Sequence, residues 1–128
     1  MNETIIDSSI VIDYLRGRPA AERFLAERRS RGELATHVVV IAEVLAGARN
    51  RQELIEIDRA TKVFRLVPIG EADSIASVEL YKRHHLVDGV GWLDCLIAAS
   101  CLRRSLPIAT LNERHFKVFE GLRVIRPY

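Results

Sequence analysis

Three acidic residues stand where the neighbouring sequence either ends a strand or is almost entirely apolar. Asp7 directly follows the first predicted strand, and ligands of open α/β sheets gather beyond the carboxyl ends of strands. Glu43 and Asp94 each interrupt a nearly continuous apolar stretch, at residues 38–48 and 92–103. Burying an unpaired carboxylate there would cost several kcal/mol, so each carboxylate needs a partner. We interpret the three side chains as one anionic pocket assembled from separate elements.

A divalent cation is the partner that suits all three carboxylates together. Close carboxylates repel one another, and without a counter-ion at least one of them would tend to keep its proton. Mg²⁺ and Mn²⁺ take oxygen ligands, and Mg²⁺ retains waters that can attack a phosphodiester. Taken singly, each residue also has a structural explanation. Asp7 suits a turn or helix cap, Glu43 an ion pair with an arginine, and Asp94 the first turn of a helix.

Asn112 is a further oxygen donor beyond a strand end. It follows a late predicted strand and offers a carbonyl oxygen, with Glu113 beside it. The cap of a short helix explains Asn112 equally well, so both interpretations stay open at this point.

The elements that must position these residues alternate between strand and helix. Alternation implies βαβ units with right-handed crossovers, and hence an α/β fold with a parallel sheet covered on both faces. Predicted strands cover residues 4–6, 34–36, 63–69, 107–111 and 122–125. Predicted helices begin at Ser8 or Ser9 and at Gly70, and cover residues 20–31, 38–48, 50–61 and 92–103.

Composition limits the class of protein. A chain of 128 residues is expected to form a single domain, residues 1–128, with a core that needs no disulfide. No apolar run approaches the ~18 residues of a membrane span, and no secretory signal is evident, so we expect a cytoplasmic protein without a membrane partner. Cys95 and Cys101 are interpreted as core residues. The net charge is only +2, but the cations are mostly arginine, which permits nucleic-acid binding and fits a solvated surface equally well.

Four segments in order carry a resemblance to a known family. They are residues 7–12 (DSSIVI), Glu43 within its apolar stretch, residues 94–99 (DCLIAA) and residues 110–116 (TLNERHF). Together they resemble the PIN-domain nucleases and, within these, the VapC-type toxins of bacterial toxin–antitoxin pairs. The resemblance implies a three-layer α/β/α fold with a central, mostly parallel sheet, and a homodimer. It also implies Mg²⁺- or Mn²⁺-dependent cleavage of RNA, and inhibition by a cognate VapB-type antitoxin.

The resemblance also implies roles for individual residues. Asp7, Glu43 and Asp94 match the acidic positions of the family, which would be both catalytic and metal-binding. Ser9 matches a small hydroxyl residue that supports the first carboxylate, and we take Thr110 as a second supporting residue. Asp7 and Asp94 would hold the ion, Glu43 would bind it directly or through water, and the ion would activate the attacking water. The expected products carry a 3′-hydroxyl and a 5′-phosphate.

One position departs from the family pattern. Asn112 stands where the family often has aspartate, so a second metal position is in doubt, although Asn112 remains a candidate ligand. The residues that bind RNA are not identified by the sequence. Arg16 and Arg18 lie near the end of the first strand and are candidates for phosphate contacts or for plain surface.

Two other functions compete with the nuclease. A non-catalytic PIN-like module would hold RNA or a protein without cutting. A receiver-like phosphoacceptor would need two acids after its first strand, whereas Ser8 follows Asp7 here.

Several conspicuous side chains are given no chemical role. The four histidines, His37, His84, His85 and His115, lack the spacing of paired helical ligands and are expected at the surface or in loops. Trp92 adjoins an apolar helix and is expected in the core. Asp13 and Asp88 are interpreted as solvated residues.

Overall fold

The computed structural model describes residues 2–128, and these residues form strands and helices in alternation. The strands are β1 (Thr4–Ile6), β2 (Leu34–His37), β3 (Arg65–Val67), β4 (Ile108–Ala109) and β5 (Val124–Ile125). The helices are α1 (Ser8–Leu15), α2 (Pro19–Ser30), α3 (Val38–Ala46), α4 (Arg51–Ala60), α5 (Glu71–Asp88), α6 (Trp92–Arg104) and α7 (Glu113–Phe116). A 3-10 turn, Thr61–Val63, follows α4.

The strands form one parallel sheet in the order β3-β2-β1-β4-β5. Strand β1 is central, with Ile5 paired to Ala35 on one side and to Ile108 on the other. Every connection therefore crosses over through helix or turn, and helices cover both faces of the sheet. The predicted three-layer α/β/α fold is confirmed, and the sheet is entirely parallel.

The core lies along the three central strands. All residues of β1, β2 and β4 are buried, as expected for parallel strands covered on both faces. The edge strand β3 exposes Arg65 and Leu66 and buries only Val67. Helix α6 is the most buried helix, and its seven residues from Cys95 to Cys101 are all buried. Both cysteines are free and buried, which confirms their interpretation as core residues.

Two predicted strands are shorter in the structure. Residues 63–69 contribute only β3, because the 3-10 turn continues from α4, with the Thr61 hydroxyl donating to the Ile57 carbonyl oxygen at 2.9 Å. Residues 107–111 contribute only β4. Beyond it, the backbone N–H groups of Leu111 and Asn112 donate to the side chains of Ser9 and Thr110 rather than to a strand.

The prediction that α3 is largely buried is wrong. Only Val39, Val40 and Val44 are buried, whereas Ala42, Glu43 and Ala46 are exposed. One face of the helix packs on the sheet, and the opposite face carries small apolar side chains. Hydrophobic content alone does not distinguish this arrangement from a helix enclosed on all sides.

The expectations for His37 and Trp92 are also wrong. His37 is fully buried at the N-cap of α3, where Nδ1 accepts the Val39 N–H at 3.1 Å. The proton therefore sits on Nε2, which donates to the Ser100 hydroxyl at 2.8 Å. Trp92 is 44% exposed and donates from Nε1 to the Ser77 hydroxyl.

A buried ion network joins the start of α5 to the end of α6. Asp73 is fully buried and accepts hydrogen bonds from Arg103 at 2.6 Å, Arg104 at 3.0 Å and the Gly70 N–H at 2.8 Å. Burial opposes ionisation of this carboxyl, but the arginine and backbone hydrogen bonds outweigh it and hold the pKa of Asp73 well below its usual range. The network joins α5 to α6, and α6 is the helix that carries Asp94.

Among the described residues, no helix combines the length and apolarity that crossing a membrane requires.

Candidate active site

Asp7 occupies the junction between β1 and α1, at the centre of the sheet. It is 4% exposed, and its Oδ2 accepts hydrogen bonds from the Thr110 hydroxyl at 2.6 Å and the Ser9 hydroxyl at 3.2 Å. The carboxylate makes no side-chain capping bond to α1, although it occupies the N-cap position. No hydrogen bond within residues 2–128 engages Oδ1. One oxygen of Asp7 is thus fixed, and the other is free for a ligand.

Ser9 and Thr110 bind the loop after β4 to the start of α1. The Ser9 hydroxyl accepts the Leu111 N–H at 3.1 Å, and the Thr110 hydroxyl accepts the Asn112 N–H at 2.9 Å. Each hydroxyl therefore accepts from backbone while donating to Asp7. The two supporting residues lie where the sequence placed them, beside the first carboxylate.

Asp94 lies in the first turn of α6, with its side chain 26% exposed. Burial raises its pKa, and the negative charge of Asp7 raises it further. A hydrogen bond that Asp94 accepts from Nδ1 of His115, at 3.3 Å, acts in the opposite direction. Asp7 is thus near enough for its charge to affect the ionisation of Asp94.

Glu43 approaches the same region from α3. Its side chain is exposed, yet the adjoining protein partly removes it from water, and this desolvation raises its pKa. The charges of Asp7 and Asp94 raise the pKa of Glu43 further. Asp7 at the end of β1, Glu43 on α3 and Asp94 on α6 thus lie near enough for the charges of the two aspartates to act on the glutamate.

Asn112 lies next to this group but is exposed. It occupies the N-cap position of α7 without a side-chain capping bond. Its backbone N–H donates to Thr110, which ties it to the loop that supports Asp7. The proposed roles of Asn112 as cap and as ligand therefore rest on its position alone.

The sequence patterns do not indicate a role for His115. It was expected at the surface, and its side chain is indeed 54% exposed, but its Nδ1 lies 3.3 Å from Oδ2 of Asp94. No local pattern signals this contact, because it joins α7 to the start of α6, 21 positions earlier in the chain.

The donor chemistry of the carboxylate group fits a divalent cation. Within residues 2–128, no arginine or lysine forms an ion pair with Asp7, Glu43 or Asp94, and the one basic side chain that contacts any of them is His115, at Asp94. Oxygen ligands of this kind suit Mg²⁺ and Mn²⁺. As they stand, no three His, Cys, Asp or Glu side chains of the described chain are close enough to hold one ion.

Comparisons with known proteins point to one family. The family model of the PIN domain matches residues 4–121. A ribonuclease, VapC10 of Mycobacterium tuberculosis, is 37% identical over 122 residues, covering 93% of this chain and 90% of that protein. Ribonuclease VapC19 of the same species is 34% identical over 125 residues, covering 92% and 95%.

Solved structures show the same fold. VapBC2 of Rickettsia felis, bound to a DNA fragment from its promoter, matches with a TM-score of 0.81 at 17% identity, covering 94% of this chain and 96% of that one. A toxin–antitoxin complex from Klebsiella pneumoniae matches with a TM-score of 0.79 at 23% identity, covering 98% of both chains.

Proposed function

This chain belongs to the PIN-domain family and, within it, to the VapC ribonucleases, and we propose that it is a metal-dependent endoribonuclease, the toxin of a type II toxin–antitoxin pair. The observation that supports this most directly is that Asp7, Glu43 and Asp94 act electrostatically on one another while no arginine or lysine within residues 2–128 pairs with any of them. A non-catalytic binding module has no need of three mutually repelling carboxylates.

Each residue of the site has a distinct proposed task. Asp7 and Asp94 hold Mg²⁺ or Mn²⁺, and Glu43 completes the set from α3. Asn112 is positioned to add a neutral oxygen. A divalent ion held by these residues would supply Lewis-acid chemistry, both to activate a water for attack on phosphorus and to stabilise the leaving oxygen.

The supporting residues keep the site in order before the ion and RNA arrive. Ser9 and Thr110 hold one oxygen of Asp7 in place through hydrogen bonds from their hydroxyl groups. His115 restrains Asp94 in a similar way. This restraint limits the reorganisation that ion binding requires.

The test is cleavage of RNA by purified protein as Mg²⁺ or Mn²⁺ is titrated. We expect metal-dependent cutting by the wild type and its loss in Asp94→Asn, because the amide carries no charge to hold the ion. Asp58→Asn is the matched control, since Asp58 is half-exposed on α4 and pairs only with Lys62 at the surface. Circular dichroism checks that each variant folds.

Two results would contradict the proposal. A wild type that binds RNA and never cuts it would favour the non-catalytic module. An Asp94→Asn variant that cuts as fast as the wild type would remove Asp94 from the site.

We further propose two protein partners, a VapB-type antitoxin and a second copy of this chain, acting in the cytoplasm on RNA. Related solved structures are VapBC complexes. Large apolar side chains are exposed on α5 and at the start of α6, which is typical of interaction surfaces. They are Ile75, Val78, Leu86, Val87, Trp92 and Leu93. Copurification with the antitoxin and light scattering of the purified toxin test the two assemblies.

A further inference from the structure

A polar cleft adjoins the carboxylate group on the side of α7. Its volume is about 410 Å³, and it is lined by residues 111–115, Lys117 and Arg126. Two of the lining residues also belong to the candidate site. His115 pairs with Asp94, and Asn112 donates to Thr110, which in turn holds Asp7. The cleft therefore adjoins Asp94 through His115, although none of the three carboxylates lines it.

The charge of the cleft is opposite to that of the carboxylate group. Arg114, Lys117 and Arg126 contribute three positive charges, and Glu113 is the single carboxylate among the lining residues. Glu113 pairs with Lys117 at 2.8 Å and with Arg126 at 3.7 Å. Arg114 is exposed and forms no ion pair within residues 2–128. The cleft is left with a net excess of cationic donors.

The positions of these donors are set by the fold. Arg126 Nη1 donates to the Leu111 carbonyl oxygen at 3.2 Å, and Nε donates to the Tyr128 carbonyl oxygen at 3.3 Å. These bonds hold its guanidinium at the wall of the cleft. Arg114 and Lys117 lie on α7 and just after it, so one short helix presents both.

We propose that this cleft binds a backbone phosphate of the RNA next to the one that is cut. The inference rests on the proposed ribonuclease function and adds a substrate subsite to it. Basic side chains that contact phosphates fix the register of a nucleic acid without reading its sequence. The carboxylates of the candidate site repel the phosphates of RNA. Basic side chains nearby are therefore needed for the strand to bind there.

An acidic protein segment is the other polyanion that fits a basic cleft. RNA is favoured because His115, which lines the cleft, contacts Asp94, so a strand bound at the carboxylates would have its neighbouring phosphates beside the cleft. The cleft's exposed cations also suit a mobile single strand, whose phosphates they meet from one side.

The experiment measures binding of a short, labelled, single-stranded oligoribonucleotide in an Asp94→Asn background, over a range of salt concentrations. The cleft variant is Arg114→Gln combined with Lys117→Gln, which spares the backbone bonds of Arg126. We expect several-fold weaker binding, and a salt dependence whose slope falls by about 0.7 for each phosphate that the variant no longer neutralises. The control is Arg23→Gln, because Arg23 is an exposed residue of α2 and does not line the cleft. It should bind as its parent does.

A second measurement uses the protein with Asp94 intact. The cleft variant should raise KM while leaving kcat nearly unchanged, because an interaction made equally before and during cleavage affects binding alone. Arg23→Gln should change neither constant.

The outcomes separate this inference from the proposed function. If the wild type fails to cut RNA but the cleft variant still binds more weakly and with a smaller salt dependence, the phosphate site stands and the nuclease proposal fails. If cutting is normal and the cleft variant binds RNA like its parent, the phosphate site is refuted. Unchanged RNA binding with weaker antitoxin binding would refute it too, and would assign the cleft to an acidic protein segment.

Discussion

Replacing Thr110 by valine removes one hydroxyl from the centre of the site and leaves nearly the same volume. In the native protein that hydroxyl donates to Asp7 at 2.6 Å and accepts the Asn112 N–H at 2.9 Å. A hydrogen bond to a charged group contributes about 1.5–3 kcal/mol, and this one is short and fully buried. The Asn112 N–H belongs to an exposed residue and can turn to water. We therefore expect Thr110→Val to lower the free energy of unfolding by about 2 kcal/mol.

The same change should weaken metal binding, because Asp7 loses the stronger of its two restraints. Removing a hydrogen-bond partner of a metal ligand typically costs about 10–100-fold in affinity or activity. The assay follows RNA cleavage as Mg²⁺ is titrated, with urea unfolding measured in parallel. We expect a higher half-saturating Mg²⁺ concentration in Thr110→Val and near-normal behaviour in Thr110→Ser, which keeps the hydroxyl.

A matched control separates stability from function. The Thr36 hydroxyl donates to the Ile6 carbonyl oxygen, also at 2.6 Å and also buried, but does not contact Asp7. Thr36→Val should be destabilised by about 1 kcal/mol and keep its normal Mg²⁺ requirement. If Thr110→Val has the Mg²⁺ requirement of the wild type, or if Thr36→Val changes it equally, then Thr110 does not act through the metal site.

Two further predictions concern stability. Asp73→Ala should lower the free energy of unfolding by about 3 kcal/mol, measured by urea unfolding at pH 7, because it leaves Arg103 and Arg104 without their buried partner. A decrease below about 1 kcal/mol would show that the network contributes little to stability. Because the folded pKa of Asp73 is depressed, its contribution is complete above the pKa of about 3.8 of the unfolded carboxyl and is lost as pH falls below that value. Burial lowers the pKa of His37 from 6.5 to about 4, so the folded state binds fewer protons, and stability should decline between pH 6.5 and 4. This decline should flatten in His37→Asn, which keeps a capping oxygen, and an unchanged pH profile would show that another group is responsible.

The sequence predicted the fold well where local chemistry decides the structure. The spacing of Asn50 and Glu53 predicts a capping box at the start of α4, and Asn50 does cap the helix, with its Oδ1 accepting the Glu53 N–H at 2.9 Å. The second half of that predicted capping box differs, since the Glu53 carboxylate accepts the N–H of Arg49 rather than of Asn50. Such details depend on which neighbour is within reach of a flexible side chain, and spacing alone does not specify this.

The candidate site was predictable in its residues and less so in its contacts. Glu43 and Asp94 drew attention because charges are costly among apolar neighbours, and Asp7 because it ends a strand; their joint role stays a prediction, supported by the effect of the aspartate charges on the pKa of Glu43. The exposure of Glu43 was not predicted, because the outer face of α3 is apolar but uncovered in this chain. The Asp94–His115 contact and the burial of His37 depend on helices packing across the sheet, and no local pattern records that packing.

The strand order has a consequence for how the protein is made. Strand β1 lies between β2 and β4, and Asp7 takes its stronger hydrogen bond from Thr110, 103 positions later in the chain. A ribosome synthesises an N-terminal segment first, at about 5–20 residues per second. Until β4 and the loop after it emerge, Asp7 lacks Thr110 and the backbone that Ser9 binds, so the growing polypeptide carries the acidic residues without an organised centre. The growing polypeptide therefore cannot form the complete site until the loop after β4 has been synthesised, late in translation.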